Sequence, residues 1–312
     1  MFSALKTIKP LHWLYNLLHY RQLLHNKEAF KSMGINRPLF SSLSSKNFPD
    51  KRSKAWLDMG DSSVLVESSD GFDRFAPAVQ ESLRAWSSNG YLILPGFFEA
   101  AVIDSINAEI NAMQTTGKLK FENGNKLMFA NQKSKLIKDV TSHTLLLELL
   151  GFILGKDIVP FQTINFITGS GQRAHSDSIH MTTYPLGYLI AVWIALEDVS
   201  TENGPLFYYP GSHQLPYVLN DDFNQSESAI FTGNKEYADY EDVIEKKVID
   251  GGFEKKVFHA KKGDVFIWHA NLIHGGSPVL NPSLTRKSMV IHYFAKNVVK
   301  YHEITERPSL LK

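Results

Sequence analysis

The sequence predicts an α+β fold, with helices in the first half of the chain and a β-sandwich or barrel core after them. Three observations carry this expectation. Up to Pro160, apolar residues recur at helical spacing; beyond it they gather into short β-branched or aromatic runs; and Gly, Pro and Asn punctuate those runs.

The elements follow in order. Residues 7–30 read as a helix, because Leu11, Leu14, Tyr15 and Leu18 fall at i, i+3, i+4 and i+7. Lys6, Lys9, Arg21 and Lys27, together with Trp13, Tyr15 and Tyr20, make it basic and aromatic. That suits either a peripheral membrane contact or an arm packed on the main domain, and the packed arm is the favoured reading. Residues 31–75, rich in Ser, Pro, Gly and Lys, form an extended wrapping segment with little regular structure. Pro77 suits the first turn of a helix continued by Val79, Leu83 and Trp86 and ended by Asn89-Gly90. Residues 91–94 make a short buried strand closed by Pro95-Gly96. A second helix carries Val102, Ile103, Ile106, Ile110 and Met113 on its apolar side; Thr141 or Ser142 caps a third that runs over 145–154 to Gly155.

Strands are then expected at 161–168, 187–196, 206–209, 264–269 and 288–294. Residues 217–254, with ten acidic residues and three lysines, break this rhythm as a polar insertion or short helical excursion. A long excursion inside a compact domain is often a functional cover. The expected organisation is an arm over 1–75, a main domain over 76–300 carrying the 217–254 insertion, and a tail over 301–312.

Composition bounds the function. A hydrophobic fraction of 43% with 21% charged residues over 312 residues is a globular balance with enough chain for a large core. The formal charge of +1 gives no global electrostatic case for nucleic acid. No cysteine is present, which removes disulfides, thiolate zinc sites, iron–sulfur clusters and a cysteine nucleophile together. Any metal must be held by nitrogen and oxygen. No run approaches the ~18 apolar residues of a membrane span, and the N-terminus lacks a secretory pattern, so a soluble, cytoplasmic protein is expected. Nothing in the pattern assigns an oligomeric state.

Eight of the twelve histidines lie from position 175 onward. In His175-Ser176-Asp177, an extended chain projects residues i and i+2 from one face, presenting an imidazole and a carboxylate to one point. This is two-thirds of the 2-His-1-carboxylate triad that holds non-haem Fe(II) and leaves positions open for substrate and O2. Alone, such a triplet is weak. The second histidine has two candidates, His269 and His274. His274 precedes two glycines, which let backbone or ligand approach closely, and is the better ligand. His269, at the end of an apolar strand, suits a structural or outer role that pairs through its ring nitrogens. Arg286 offers a planar fork for a carboxylate; pointing inward beside the metal it would anchor the distal end of a dicarboxylate cosubstrate, with Ser277 adding a hydroxyl. The plainer alternative is an exposed arginine at a strand start.

Taken in order, these residues and their neighbours resemble the phytanoyl-CoA dioxygenase family of Fe(II)/2-oxoglutarate oxygenases. The resemblance runs from about Trp86 to Phe294. It rests on Asn89-Gly90-Tyr91-Leu92-Ile93-Leu94-Pro95-Gly96-Phe97, His175-Ser176-Asp177, Trp193-Ile194-Ala195-Leu196-Glu197-Asp198-Val199 and Asn203-Gly204-Pro205-Leu206. Pro210-Gly211-Ser212-His213 and His274-Gly275-Gly276-Ser277, followed by Arg286, complete it.

The resemblance implies a double-stranded β-helix (jelly-roll) core with Fe(II) in its mouth, bound by His175, Asp177 and His274. It further implies Arg286 as the anchor of the 2-oxoglutarate C5 carboxylate and Trp193 in the cosubstrate pocket, with Lys126 and Gln162 as looser matches. Where relatives commonly read His-Gly-Ser, this chain has a second glycine and Arg286 one place later, which leaves the role of Ser277 open. Asp177 argues against a halogenase, whose relatives replace that carboxylate by a small residue. The implied activity is that of a dioxygenase using 2-oxoglutarate and O2, a hydroxylase of a small-molecule or lipid-like substrate that releases succinate and CO2. The competing class is a catalytically silent jelly-roll that binds a ligand. Retention of all three metal-type residues and the arginine counts against it.

Overall fold

A computed structural model describes residues 8–48, 54–122, 124–223 and 237–311. Its centre is a seven-stranded antiparallel sheet in the order β1 (Tyr91–Leu94), β9 (Val265–His269), β6 (Leu189–Ala195), β11 (Ser288–Ala295), β4 (Ile158–Phe166), β3 (Lys126–Met128) and β2 (Phe121–Glu122). A second sheet, β10 (His274–Gly276), β7 (Leu206–Tyr208) and β8 (Lys256–Phe258), closes the jelly-roll. A third joins β13 (Arg307–Pro308), β12 (Val299–His302) and β5 (Thr182–Tyr184). The expected strands at 91–94, 161–168, 187–196, 206–209, 264–269 and 288–294 all form, with ends moved by a few residues.

Strand alternation splits the main sheet between two cores. Ile190, Val192 and Ile194 of β6, with Met289 and Ile291 of β11, face the helices Ala100–Thr115 and Thr144–Leu154. Ala191, Trp193 and Ala195 face the opposite way, into the jelly-roll interior with Phe266, Trp268 and Val290. The interior is therefore lined by every second residue, and the site is built on that face.

Several expectations change in detail. The helix begun at Pro77 stops at Arg84 and resumes as Trp86–Asn89, with Gly90 ending it at a φ of 74°. The helix Thr144–Leu154 starts after His143 and takes no side-chain cap; Thr141 instead closes a helix over Lys135–Thr141, with Ser142 as that helix's C-cap. The cap expected from Thr141 or Ser142 fails because a short helix already consumes both.

Within 217–254 the described residues form the helices Asn220–Phe223 and Tyr237–Asp250, while 224–236 lie outside them. The second helix is 14 residues long, more than a short excursion, and buries Tyr240, Ile244 and Val248 at helical spacing.

The N-terminal reading changes most. Helix Lys9–Leu18 gives way to a 3₁₀ turn at Tyr20–Asn26 and a helix at Lys27–Ser32. The arm packs on the main domain, as favoured, but Lys9–Leu18 does so with its polar side: Lys9, His12 and Asn16 are buried while Leu11, Leu14, Leu17 and Leu18 are exposed. No described helix is long and apolar enough to cross a membrane.

Candidate metal centre

His175 and His274, 99 positions apart in the chain, are neighbours because their backbones form an antiparallel bridge. Each amide donates to the other's carbonyl at 2.9 Å. The strand β10 that carries His274 pairs with β7, and its two glycines admit the 170–172 chain. A Cβ on Gly276 would strike the Ser170 side chain, and one on Gly275 would stand 2.7 Å from the Gln172 carbonyl. The glycines serve a close backbone approach beside the ligand-type histidine.

Asp177 lies on the same side as His175 and opens a short 3₁₀ turn. Tyr240, from the helix of the insertion, holds the segment in place: the Ser176 amide donates to its hydroxyl at 2.9 Å, and that hydroxyl donates to the Ser176 carbonyl at 3.2 Å. His175, Asp177 and His274 are buried, and one nitrogen or oxygen atom from each lies within 4.8 Å of the others.

The hydrogen bonds orient all three groups. The Nδ1 of His175 is 2.8 Å from the Arg173 carbonyl and that of His274 is 3.0 Å from the Leu272 carbonyl. A carbonyl only accepts, so each Nδ1 carries a proton and each Nε2 is the nitrogen turned toward Asp177. Both Nε2 atoms stand 3.9 Å from Asp177 Oδ1. The other carboxylate oxygen, Oδ2, accepts from the indole of Trp268 at 2.8 Å and lies 3.3 Å from His292 Nε2. One oxygen is thus held from behind and the other is left facing the two imidazoles.

The ionisation states agree with this arrangement. Burial, reinforced by His274, pushes the His175 imidazole down to about 3, so it is neutral at ordinary pH. Burial alone would raise the Asp177 carboxyl, but His274, His292 and His175 around it outweigh that and hold it below the usual carboxylate range. Two imidazoles that turn Nε2 toward one point and an ionised carboxylate, with no thiolate in the chain, form a donor set suited to a non-haem ferrous ion. The residues fit the metal.

The triad opens on a cavity of about 680 Å³ that also takes in Arg286, Trp193, Gln162 and Lys126. Arg286 is buried, not exposed at a strand start. It donates to Ser288 Oγ at 2.7 Å and rests beside the rings of Phe166 and Trp193. Its Nε has no hydrogen-bond partner, and it makes no ion pair among the described residues. Burial lowers the guanidinium to about 10, against the pull of Glu197, so it stays charged. A buried, unpaired guanidinium aimed into a cavity calls for an anion. Gln162 reaches His292 Nδ1 at 3.3 Å, and Lys126 is half-buried, its amine pulled down by burial.

Ser277 is not brought to this cavity. Its amide bonds to the Pro205 carbonyl at 2.8 Å, and the hydroxyl beside Arg286 comes from Ser288. His269 pairs through both ring nitrogens, with Asp58 at 2.8 Å and the Asn271 amide at 3.0 Å, away from the triad. His292 and Trp268 were not singled out from sequence. Strand alternation contained the signal, since Arg286 pointing inward puts 288, 290 and 292 on the same face.

A family model described as phytanoyl-CoA dioxygenase (PhyH) matches residues 86–288, well over half the chain. The chain belongs to the phytanoyl-CoA dioxygenase family. This is a family of non-haem iron- and 2-oxoglutarate-dependent oxygenases. Among curated relatives, phytanoyl-CoA dioxygenase domain-containing protein 1 of Bos taurus is 30% identical over 45% of this chain and 49% of its own length. The chain therefore spans about half of that relative. Ectoine dioxygenase of Stutzerimonas stutzeri is 25% identical over 75% of this chain and 82% of that one. EctD from S. alaskensis, solved with 2-oxoglutarate and 5-hydroxyectoine, shares the fold with a TM-score of 0.57, at 17% identity over 81% of this chain and 86% of that chain.

Proposed function

We propose that this member of the phytanoyl-CoA dioxygenase family hydroxylates a C–H bond of a small-molecule or lipid-like substrate. In the balanced reaction, substrate, 2-oxoglutarate and O2 give hydroxylated substrate, succinate and CO2. In this reading His175 Nε2, Asp177 Oδ1 and His274 Nε2 hold the ferrous ion, which together with 2-oxoglutarate supplies the oxidising chemistry when bound. Arg286, steadied by Ser288, binds and orients the distal carboxylate of 2-oxoglutarate. Trp193 walls that position, and Gln162 and Lys126 line its approach.

The observation that carries the reading is the convergence of two imidazole Nε2 atoms and one carboxylate oxygen, each group fixed from behind by a hydrogen bond. A catalytically silent jelly-roll would have no need of that triad together with an unpaired buried arginine. The cavity has the size of a small-molecule site and exceeds what 2-oxoglutarate alone would fill. The test is succinate release from the purified chain with Fe(II), 2-oxoglutarate and O2. Turnover that depends on added iron and disappears in Asp177→Ala supports the proposal. An Asp177→Ala protein that binds iron and turns over normally overturns it.

A further inference from the structure

Helix Lys9–Leu18 is built inside out. Its buried side chains, Lys9 at 6% exposure, His12 at 3% and Asn16 at 2%, lie on one side; Leu14 at 57% and Leu18 at 75% lie on the other with Leu11. A helix that only had to pack on a core would turn the leucines inward. The polar side is firmly engaged. Lys9 pairs with Glu306 at 2.7 Å, Asn16 donates to the Phe40 carbonyl at 3.0 Å, and the Trp13 indole donates to Ser42 Oγ at 2.9 Å. Of the sixteen exposed large apolar side chains among the described residues, eight fall between 11 and 24. This is a patch, not a scatter.

Two further features say what covers it. Residues 8–48 carry one acidic side chain, Glu28, while Arg21, Lys27, Lys31 and Arg37 are all exposed. The same helix also borders the cavity: Tyr15 and Asn16 line it together with Arg307 and Leu310, and the Arg307 guanidinium sits 5.6 Å from the Tyr15 ring. Tyr15, itself 45% exposed, is thus the helix residue shared between the exposed side and the cavity lining. A second copy of this chain meeting the patch across a two-fold axis would set these cations against their own equivalents. An anionic bilayer offers apolar depth and complementary charge at once.

We propose that the Leu11, Leu14, Leu17 and Leu18 face docks on an anionic lipid bilayer, turning the cavity mouth toward the headgroups. The substrate is then an amphiphile drawn from that surface. This last clause rests on the function proposed above; the docking itself does not.

The test is flotation of the full chain with phosphatidylcholine vesicles, with and without phosphatidylglycerol. Each basic side chain near an anionic surface contributes roughly fivefold, so phosphatidylglycerol should raise the bound fraction on the order of 100-fold at low salt, with loss at high salt. Leu14→Glu/Leu18→Glu, placed on exposed positions, should lower binding at least ~10-fold while circular dichroism stays that of the wild type. A chain that stays with neither vesicle, or a double variant that floats like the wild type, overturns the proposal. So does a dimer in solution that this double variant dissociates, since a second copy would then own the face. Iron binding measured on the same samples without lipid reports on the metal centre separately, so either idea can fail alone.

Discussion

The β core and the N-terminal helix bury opposite kinds of side chain. In β11, Met289, Ile291 and Tyr293 press on the helical layer while Val290 and His292 face the cavity and Ser288 meets Arg286, and all six are buried. In Lys9–Leu18 a lysine, a histidine and an asparagine are buried and the leucines meet solvent. Apolar burial at roughly 1.5–3 kcal/mol per large side chain holds the sheet rigid enough to aim a metal triad. The helix is held by directional polar contacts whose net contribution is small, because each desolvated group offsets much of what its partner returns. The rest of the arm docks conventionally, through Leu23, Phe30, Leu43 and Phe48 against Val299 and Tyr301. The inversion is therefore local, and it gathers within residues 11–24 half of the exposed large apolar side chains among the described residues.

If this contrast is right, variants in the core should destroy chemistry and leave the arm in place, and arm variants should do the reverse. The largest effect is expected from Asp177→Ala, which removes one of the three proposed ligand atoms. Iron retention and succinate release should fall by more than ~100-fold, beyond the ~10–100-fold typical for losing a residue behind a ligand, with the arm's resistance to protease unchanged.

Next comes Lys9→Met, which removes the cation 2.7 Å from buried Glu306, at a local cost of roughly 1.5–3 kcal/mol for a hydrogen bond to a charged group. Limited proteolysis should then cut within residues 8–48 while iron binding persists. A Lys9→Met protein as resistant as the wild type would show that the polar side is not what holds the helix.

Within the core, the two proposed functions of the cavity can be separated. Arg286→Gln should raise the KM for 2-oxoglutarate by roughly 100-fold, in the range for truncating a buried charged partner, with iron affinity unchanged. Trp268→Phe removes the donor to Asp177 Oδ2 and should weaken iron binding by ~10–100-fold, with little change in the KM for 2-oxoglutarate. Iron titration alongside a 2-oxoglutarate saturation curve checks both.

The same contrast explains what was legible in the sequence. Core positions announce themselves through local pattern: the i, i+2 spacing of His175 and Asp177 placed both on one face, and the punctuated apolar runs located the main strands. His292 was readable by the same rule once Arg286 was known to point inward. The orientation of Lys9–Leu18 was not readable, because the pattern shows which face is apolar and not which face is buried. That was decided by Glu306, a partner at the far end of the chain. Ser277 shows the same limit: its nearness to Arg286 in sequence does not place it in the cavity lining, and its amide is spent on the Pro205 carbonyl. In the insertion, the spacing of Tyr240, Ile244 and Val248 was present but lay under ten acidic residues that read as surface.

The smallest effect is a pH dependence confined to the arm. His25 lies in the 3₁₀ turn after the inverted helix, its Nε2–H directed at the Ser309 carbonyl at 2.8 Å. Burial, opposed by that bond and aided by Lys300, pushes its imidazole down to about 4, below the ordinary 6.5. The folded arm therefore binds a proton less readily than the unfolded arm. The stability carried by neutral His25 is complete above about pH 6.5 and drains away as pH falls toward 4. Lowering the pH by one unit from 6.5 should cost about 1 kcal/mol of arm docking, a several-fold rise in cleavage rate within residues 8–48. His25→Gln, which keeps a donor for Ser309 and cannot titrate, should flatten that profile between pH 6.5 and 5.5. An unchanged slope in His25→Gln would move the sensitivity to another group and overturn the claim that His25 sets the arm's response to pH.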